Sequence, residues 1–246
     1  MAPGPLFGLP SNIVQAQAPP DPSLPVGVRR STSPRPASTE RPACSLRAAL
    51  CVHVAAGGVS PALVHEYLAA LELAQRQLVE GLALPAPLPD YGLGDTTALD
   101  LYLYTDALED LEVLRDPALG TRDRVSAHCR ARARASGARR QAALCVAEAS
   151  LLALDAAEGD GVRRSVAAAL WRSLGAPSAD DAAALDDFQA NPQLSPLTRE
   201  RARTSDGASL FVEYIDRQLG SGSPGLLPAS MFLIADGATP RDSARW

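Results

Sequence analysis

The apolar residues between Gln141 and Ala157 recur at helical spacing, and after a Gly159-Asp160-Gly161 turn a second helical pattern runs from Val162 to Leu174. Two helices joined by so short a turn form a hairpin. The stretch Cys145-Val-Ala-Glu-Ala-Ser-Leu-Leu-Ala-Leu-Asp-Ala-Ala-Glu158 reads as the buried member of that pair, so the rest of the chain has to be arranged around it.

Upstream, Leu50, Val52 and Val54 alternate against Cys51 and His53 as in a short half-buried strand, which Gly57-Gly58 ends. Ser60 supplies an N-cap and Pro61 a first helical position for a helix carrying Leu63, Val64, Tyr67, Leu68, Leu71, Leu78 and Leu82. Pro85, Pro87 and Pro89 stop it. A turn at Gly92-Leu93-Gly94-Asp95 then leads into Leu99-Asp-Leu101-Tyr-Leu103-Tyr104, a strand with leucine on one face and polar or aromatic residues on the other. Further helices are expected over 180–189, from an Asp206 cap through Leu210, Phe211, Tyr214, Ile215 and Leu219, and over 226–235. The expected fold is α+β and helix-rich, with a small strand component and the helical hairpin.

A chain of 246 residues with 46% hydrophobic content can bury one sizeable core. Residues 1–43 hold roughly half of its 21 prolines, with Ser, Thr and Arg between them. Such a segment buries too little surface to offset the entropy of ordering it. The expectation is a disordered N-terminal segment, 1–43, ahead of a single globular domain, 44–246.

A net charge of -5 and a pI near 5.2 weigh against nucleic acid or anionic lipid, which need clustered positive charge. The one basic cluster, Arg122, Arg124, Arg130, Arg132, Arg134, Arg139 and Arg140, follows Asp106, Glu109, Asp110, Glu112 and Asp116, and is read as neutralised by them on a solvated surface. All 23 basic residues are arginine, in keeping with high-GC coding, so there is no lysine for Schiff-base chemistry. No apolar run reaches the roughly 18 residues of a membrane span, so no transmembrane segment is expected.

The four cysteines, Cys44, Cys51, Cys129 and Cys145, fall as two local pairs rather than as the CxxC clusters of a zinc knuckle. Three pairings are formally possible. Local closure favours Cys44 with Cys51 and Cys129 with Cys145, and with them an extracellular or cell-surface location. Four free thiols in a cytoplasmic protein are the alternative. Residues 1–18 lack a basic n-region, and Gly8, Pro10 and Ser11 break their apolar run, so they do not read as a signal peptide. Ala16-Gln17-Ala18 does have the form of a cleavage site, and one expectation is an export signal upstream of Met1.

Among motifs, His65-Glu66 is the one literal His-Glu pair. The zinc-binding HExxH helix needs a second histidine four residues after the first, and Ala69 stands there. His53 and His128 read as satisfied structural histidines. Dyads of Cys51 with His53, or of His128 with Cys129, are discounted, because catalytic pairs converge from distant segments and neighbours in a strand point to opposite faces. Neither a phosphate loop nor a GxSxG elbow is present.

The order of segments resembles a myxobacterial group of secreted or surface proteins related to gluzincin-like metalloproteases, over residues 44–246. It runs from a local Cys pair through a helix, Leu-Asp-Leu-Tyr-Leu and a second Cys pair to CVAEASLLALDAAE and VRRSVAAALW. The resemblance implies a degenerate zincin domain in which Glu148 stands in the water-activating place, Ala147 and Leu151 replace the two histidines, and Arg164 or Ser165 falls at the third ligand. With the zinc-binding motif absent, the resemblance implies a pseudoenzyme without metal or other cofactor, and Glu148 is the one catalytic candidate left. Asp155 and Glu158 read as solvated residues of the helix end. The same relatives carry a helix like Asp206–Tyr214 and continue past Arg245-Trp246, so a C-terminal truncation is expected.

The functional expectation is a secreted or cell-surface, non-catalytic protein that binds a protein or surface partner. One alternative is a peptidase or hydrolase in which folding joins Glu148 with Asp155, Glu158 or His128. The other is a cytoplasmic helical interaction protein.

Overall fold

The computed structural model describes residues 35–55, 58–90, 92–94, 96–106, 109–116, 124–156, 158–175, 179–191 and 206–219. Within them, strands β1 (Ala43–Cys44), β2 (Leu50–Val54), β3 (Leu99–Tyr104), β4 (Leu111–Arg115) and β5 (Ala127–Arg132) form one mixed sheet in the order β1-β2-β3-β5-β4. The three inner strands β2, β3 and β5 run parallel, and both edges are antiparallel.

The helices are α1 (Pro61–Ala74), continued by π-helical turns over Gln75–Gly81, then α2 (Ala138–Leu152), α3 (Asp160–Leu174), α4 (Ala179–Ala190) and α5 (Ser209–Leu219). Ser60 caps α1 as the sequence predicts, its hydroxyl accepting from the Leu63 N–H at 3.3 Å. Helix α2 is buried at every residue except Arg139, and of its buried polar members Arg140, Gln141 and Glu148 each have a hydrogen-bond partner. It packs on α1, α3, β4 and β5. The expected helix at 226–235 and the first 34 residues of the expected disordered segment lie outside the described residues.

Leu50, Val52, Val54, Leu99, Leu101, Leu103, Ala127, Cys129 and Ala131 line the sheet face that carries the core, together with Val64, Tyr67, Leu71 and Leu78 and most of α2. The Tyr67 hydroxyl lies against Gln141 Oε1 and accepts from the Arg134 N–H at 3.1 Å, while Gln141 Nε2 donates to Asp110 Oδ1 at 2.8 Å. One polar knot thus fixes α1, α2 and the turn before β4.

Both disulfides pair as local closure predicts: Cys44–Cys51 joins β1 to β2, and Cys129–Cys145 joins β5 to α2. Among the described residues no helix is long and apolar enough to cross a membrane.

Two departures from the sequence reading matter for the site. First, β2 and β3 are buried on both faces, because inner parallel strands leave no face for solvent. Second, the segment ahead of Cys44 is engaged from Arg35 onward. Its Thr39 N–H donates to the Val54 carbonyl at 2.8 Å, and Arg35 reaches the polar face of the sheet.

Candidate functional site

Helix α2 carries Glu148 one residue past Ala147 and three before Leu151. Ala147 and Leu151 are fully buried in the hydrophobic core, so the positions where the resemblance places imidazole ligands are filled by packing. Glu148 is itself only 3% exposed. The Arg163 Nε–H of α3 donates to its Oε2 at 3.4 Å, and its Oε1 has no hydrogen-bond partner among the described residues. Burial pushes the Glu148 carboxyl above its ordinary value, and Arg163 and Arg164 pull it back in part.

Arg163 is shared. Its Nη1 lies 2.8 Å from Asp160, which also pairs with Arg115 of β4. Burial, with Arg163 alongside, lowers the Arg115 guanidinium to about 10, against the pull of Asp160, Glu148 and Asp155. Arg164 points to Asp206 at 2.6 Å. There the carboxylates of Asp206 and Glu148 outweigh burial and hold it charged. Ser165 donates to the Gly161 carbonyl at 2.7 Å within its own helix.

Asp155 is not a solvated helix-end residue. It is 4% exposed, and its Oδ1 accepts from the Glu158 N–H at 3.2 Å in the turn that follows the end of α2 at Leu152. Glu158 is half-buried, and burial raises its carboxyl. The folding therefore does gather Glu148 and Asp155, but around two guanidinium groups that neutralise them. His128 is not brought to them. Its neighbour Cys129 points to α2 through the disulfide, so His128 points to the opposite face.

That opposite face holds a second constellation, which the sequence reading did not assemble. In register across the sheet stand Cys51, Asp100 and His128, and beside them His53 and Tyr102. His53 Nε2 is 3.0 Å from Asp100 Oδ1, and His128 Nδ1 is 3.2 Å from Asp116 Oδ1. Tyr102 stacks on His53 with ring centroids 4.5 Å apart and meets His128 edge-on at 5.8 Å.

Into this face comes Arg35. Its Nη1 reaches Asp90 at 2.8 Å and also Asp100, while its Nε and Nη2 fork onto the two oxygens of Asp116 at 3.3 and 2.7 Å. Asp90, Asp100 and Asp116 are all buried. Three carboxylates facing one guanidinium leave excess negative charge, and burial outweighs Arg35 to raise Asp90. At Asp116, burial also pushes upward, but the His128 hydrogen bond and Arg35 prevail and hold the carboxyl below its usual range. Burial lowers His128 despite its carboxylate partner, and pushes Tyr102 up to about 12. A neutral His128 beside an ionised Asp116 carries its proton on Nδ1. Gly94 closes the cluster, since a Cβ there would sit 1.7 Å from Asp100 Oδ2.

A pH dependence follows with a definite sign. His128 has a folded value below its unfolded value of about 6.5, so between the two the unfolded chain binds the extra proton, and stability falls as the pH drops through that window. Asp116, depressed when folded, adds to the loss at lower pH. Urea unfolding between pH 7.5 and 5 should show this loss. In His128→Asn, which keeps an N–H for Asp116, the slope below pH 6.5 should shrink by up to about 1.4 kcal/mol per pH unit. An unchanged slope would refute the assignment.

The remaining sequence candidates are structural. His65 is exposed on α1, its Nδ1 2.7 Å from the Pro61 carbonyl. Both sulfurs of Cys51 and Cys129 are in disulfides, which rules out either Cys–His dyad. Within the basic cluster, Arg134 pairs with Asp110, one of the expected acids, and with Asp180, each at 2.8 Å, while Arg122 lies outside the described residues. Part of it, though, is interior: Arg140 is 6% exposed, and ties Asp181 at 2.8 Å to Asp206 at 2.7 Å. Among the described residues no three His, Cys, Asp or Glu side chains converge to hold a metal ion. Comparison with protein-family models, curated proteins and solved structures finds no match to this chain.

Proposed function

We propose that the chain is a secreted or cell-surface protein on a metalloprotease-like scaffold that has no peptidase activity and acts by binding a protein or surface partner. The observation that carries this reading is the state of Glu148. It is buried and paired with Arg163, between Ala147 and Leu151 in the packed core. In a zincin the glutamate activates water that the metal holds beside it, and the α2–α3 hairpin offers Glu148 a guanidinium instead. The two disulfides support an oxidising compartment, where they persist.

Protein exported into an oxidising compartment tests the reading in one sample, by intact mass with alkylation before and after reduction, zinc quantification and turnover of a mixed peptide substrate. The expected result is no alkylation until reduction, no stoichiometric zinc and no hydrolysis. One equivalent of bound zinc, or peptide turnover abolished by Glu148→Gln, would replace this reading with the enzyme. Alkylation of all four cysteines without reduction would replace it with the cytoplasmic one.

A further inference from the structure

We propose that Asp90, Asp100 and Asp116 form a guanidinium-binding pocket that Arg35 fills in cis, and that an arginine side chain from a partner takes the same place when Arg35 is withdrawn. The proposal goes beyond the reading above and does not depend on it, because the pocket's chemistry is the same in a secreted or a cytoplasmic protein.

The pocket is built by parts of the fold that do not include the Arg35 segment. Asp100 is set by the β3 register and by His53. Asp116 is set by its own N–H, which donates to the Ser126 carbonyl at 2.9 Å, and by His128. Asp90 folds its loop around itself, accepting from the Gly92 N–H at 2.9 Å and the Gly94 N–H at 3.2 Å. Withdrawal of Arg35 therefore leaves three buried carboxylates in place, which burial makes costly without a cation.

The geometry selects the cation. Nε and Nη2 of one planar group meet both oxygens of Asp116 while Nη1 meets Asp90 and Asp100, a planar fork that an ammonium does not reproduce. The acids do not converge on one metal-sized point. An independent sign of unfilled binding capacity is His128 Nε2. It is buried, has no hydrogen-bond partner among the described residues, and sits on the ring whose Nδ1 holds Asp116. With the proton on Nδ1, Nε2 is an acceptor left unmet while Arg35 fills the pocket.

The segment that delivers Arg35 is lightly held. Residues 36–41 are exposed or half-buried, and their ties to the sheet are the bonds of Ser38 and Thr39 to the Val54 carbonyl. Apart from Arg35 itself the segment buries little apolar surface, so the cost of opening it is mainly that of uncovering the three acids, which an incoming guanidinium removes.

The test uses the full chain carrying Arg35→Ala, with thermal unfolding followed in methylguanidinium, methylammonium, calcium or zinc at matched ionic strength. Methylguanidinium is kept in the millimolar range, far below its denaturing range. At ten times its dissociation constant it should raise the Tm of Arg35→Ala by about 4 °C. It should leave the wild type unmoved, because the pocket is filled. Methylammonium should do neither, and the gain should vanish in Arg35→Ala/Asp116→Asn. If Arg35→Ala does not fold in buffer, recovery of a cooperative transition on adding methylguanidinium is the supporting result, and no recovery overturns the proposal. It is overturned equally by the same gain in the wild type, by the same gain from methylammonium, by a gain from calcium or zinc in place of methylguanidinium, or by an Arg35→Ala protein that no additive shifts.

Discussion

Arg163→Met is expected to lower the unfolding free energy by about 3–5 kcal/mol at pH 7.5, because it strands the Glu148 carboxylate in a site that water does not reach. The deficit should itself depend on pH. The folded value of Glu148 is already raised by burial, and losing Arg163 raises it further. Between the unfolded value of about 4.3 and that raised value the folded protein holds the extra proton, so stability falls as pH rises. The Arg163→Met deficit should therefore narrow as the pH is lowered from 7.5 to 5, since each proton Glu148 takes up removes its need for a partner. The converse variant is expected to be milder. Glu148→Met leaves Arg163 in a direct pair with Asp160 at 2.8 Å, whereas Glu148 without Arg163 keeps only the longer-range pull of Arg164 and Arg115. Urea unfolding of both variants at the two pH values reads this asymmetry directly.

The second large effect is expected from the disulfide that joins β5 to α2. Cys129→Ala/Cys145→Ala removes a crosslink between the central sheet and its buried helix, with both sulfurs in the core. The loop it closes, with a sequence separation of 16, corresponds to about 3 kcal/mol of unfolded-state entropy, and the space the sulfurs leave adds to the loss. Cys44→Ala/Cys51→Ala closes a shorter loop, with a separation of 7, at an edge where Cys44 is exposed. Its cost should be smaller, near 2.5 kcal/mol or less. Denaturant midpoints of the two double variants give the comparison. Equal or reversed losses would mean that the Cys129–Cys145 bridge does not hold α2 to the sheet.

What could be read in the sequence was whatever announces itself within a few residues. The Ser60-Pro61 start of α1, the alternation of β3, the hairpin of α2 and α3 and the local pairing of the cysteines all have short-range signatures, and all are present. Strands β4 and β5 escaped notice because Leu111–Arg115 and Ala127–Arg132 mix charges and small residues, which imitates a solvated surface. The charges there are placed by the sheet. His128 and Arg130 face away from α2 while Ala127, Cys129 and Ala131 face the core.

The polar cluster was hidden for a different reason. Its members lie far apart in the chain, Arg35 being 65 residues from Asp100 and 81 from Asp116, and Arg35 sat in a stretch whose composition reads as tail. The one signal that pointed to it was Asp100 and Tyr102 on the second face of an inner strand. A parallel sheet has to cover both faces, so acids there demand a buried partner. Glu148 enters the sequence reading through the resemblance, as the residue in the water-activating place, with Arg164 or Ser165 at the third-ligand place. In the structure Glu148 pairs with Arg163 of the next helix, while Arg164 pairs with Asp206.

The measurement that bears most directly on the central claim, that Glu148 is a structural partner of Arg163, is the double-mutant cycle through Glu148→Met, Arg163→Met and the double variant. If the pair holds α2 and α3 together, the double variant will be more stable than Arg163→Met alone, with a coupling of about 1–3 kcal/mol. Losses that simply add, within about 0.5 kcal/mol, would show that Glu148 and Arg163 do not balance each other and would contradict the account.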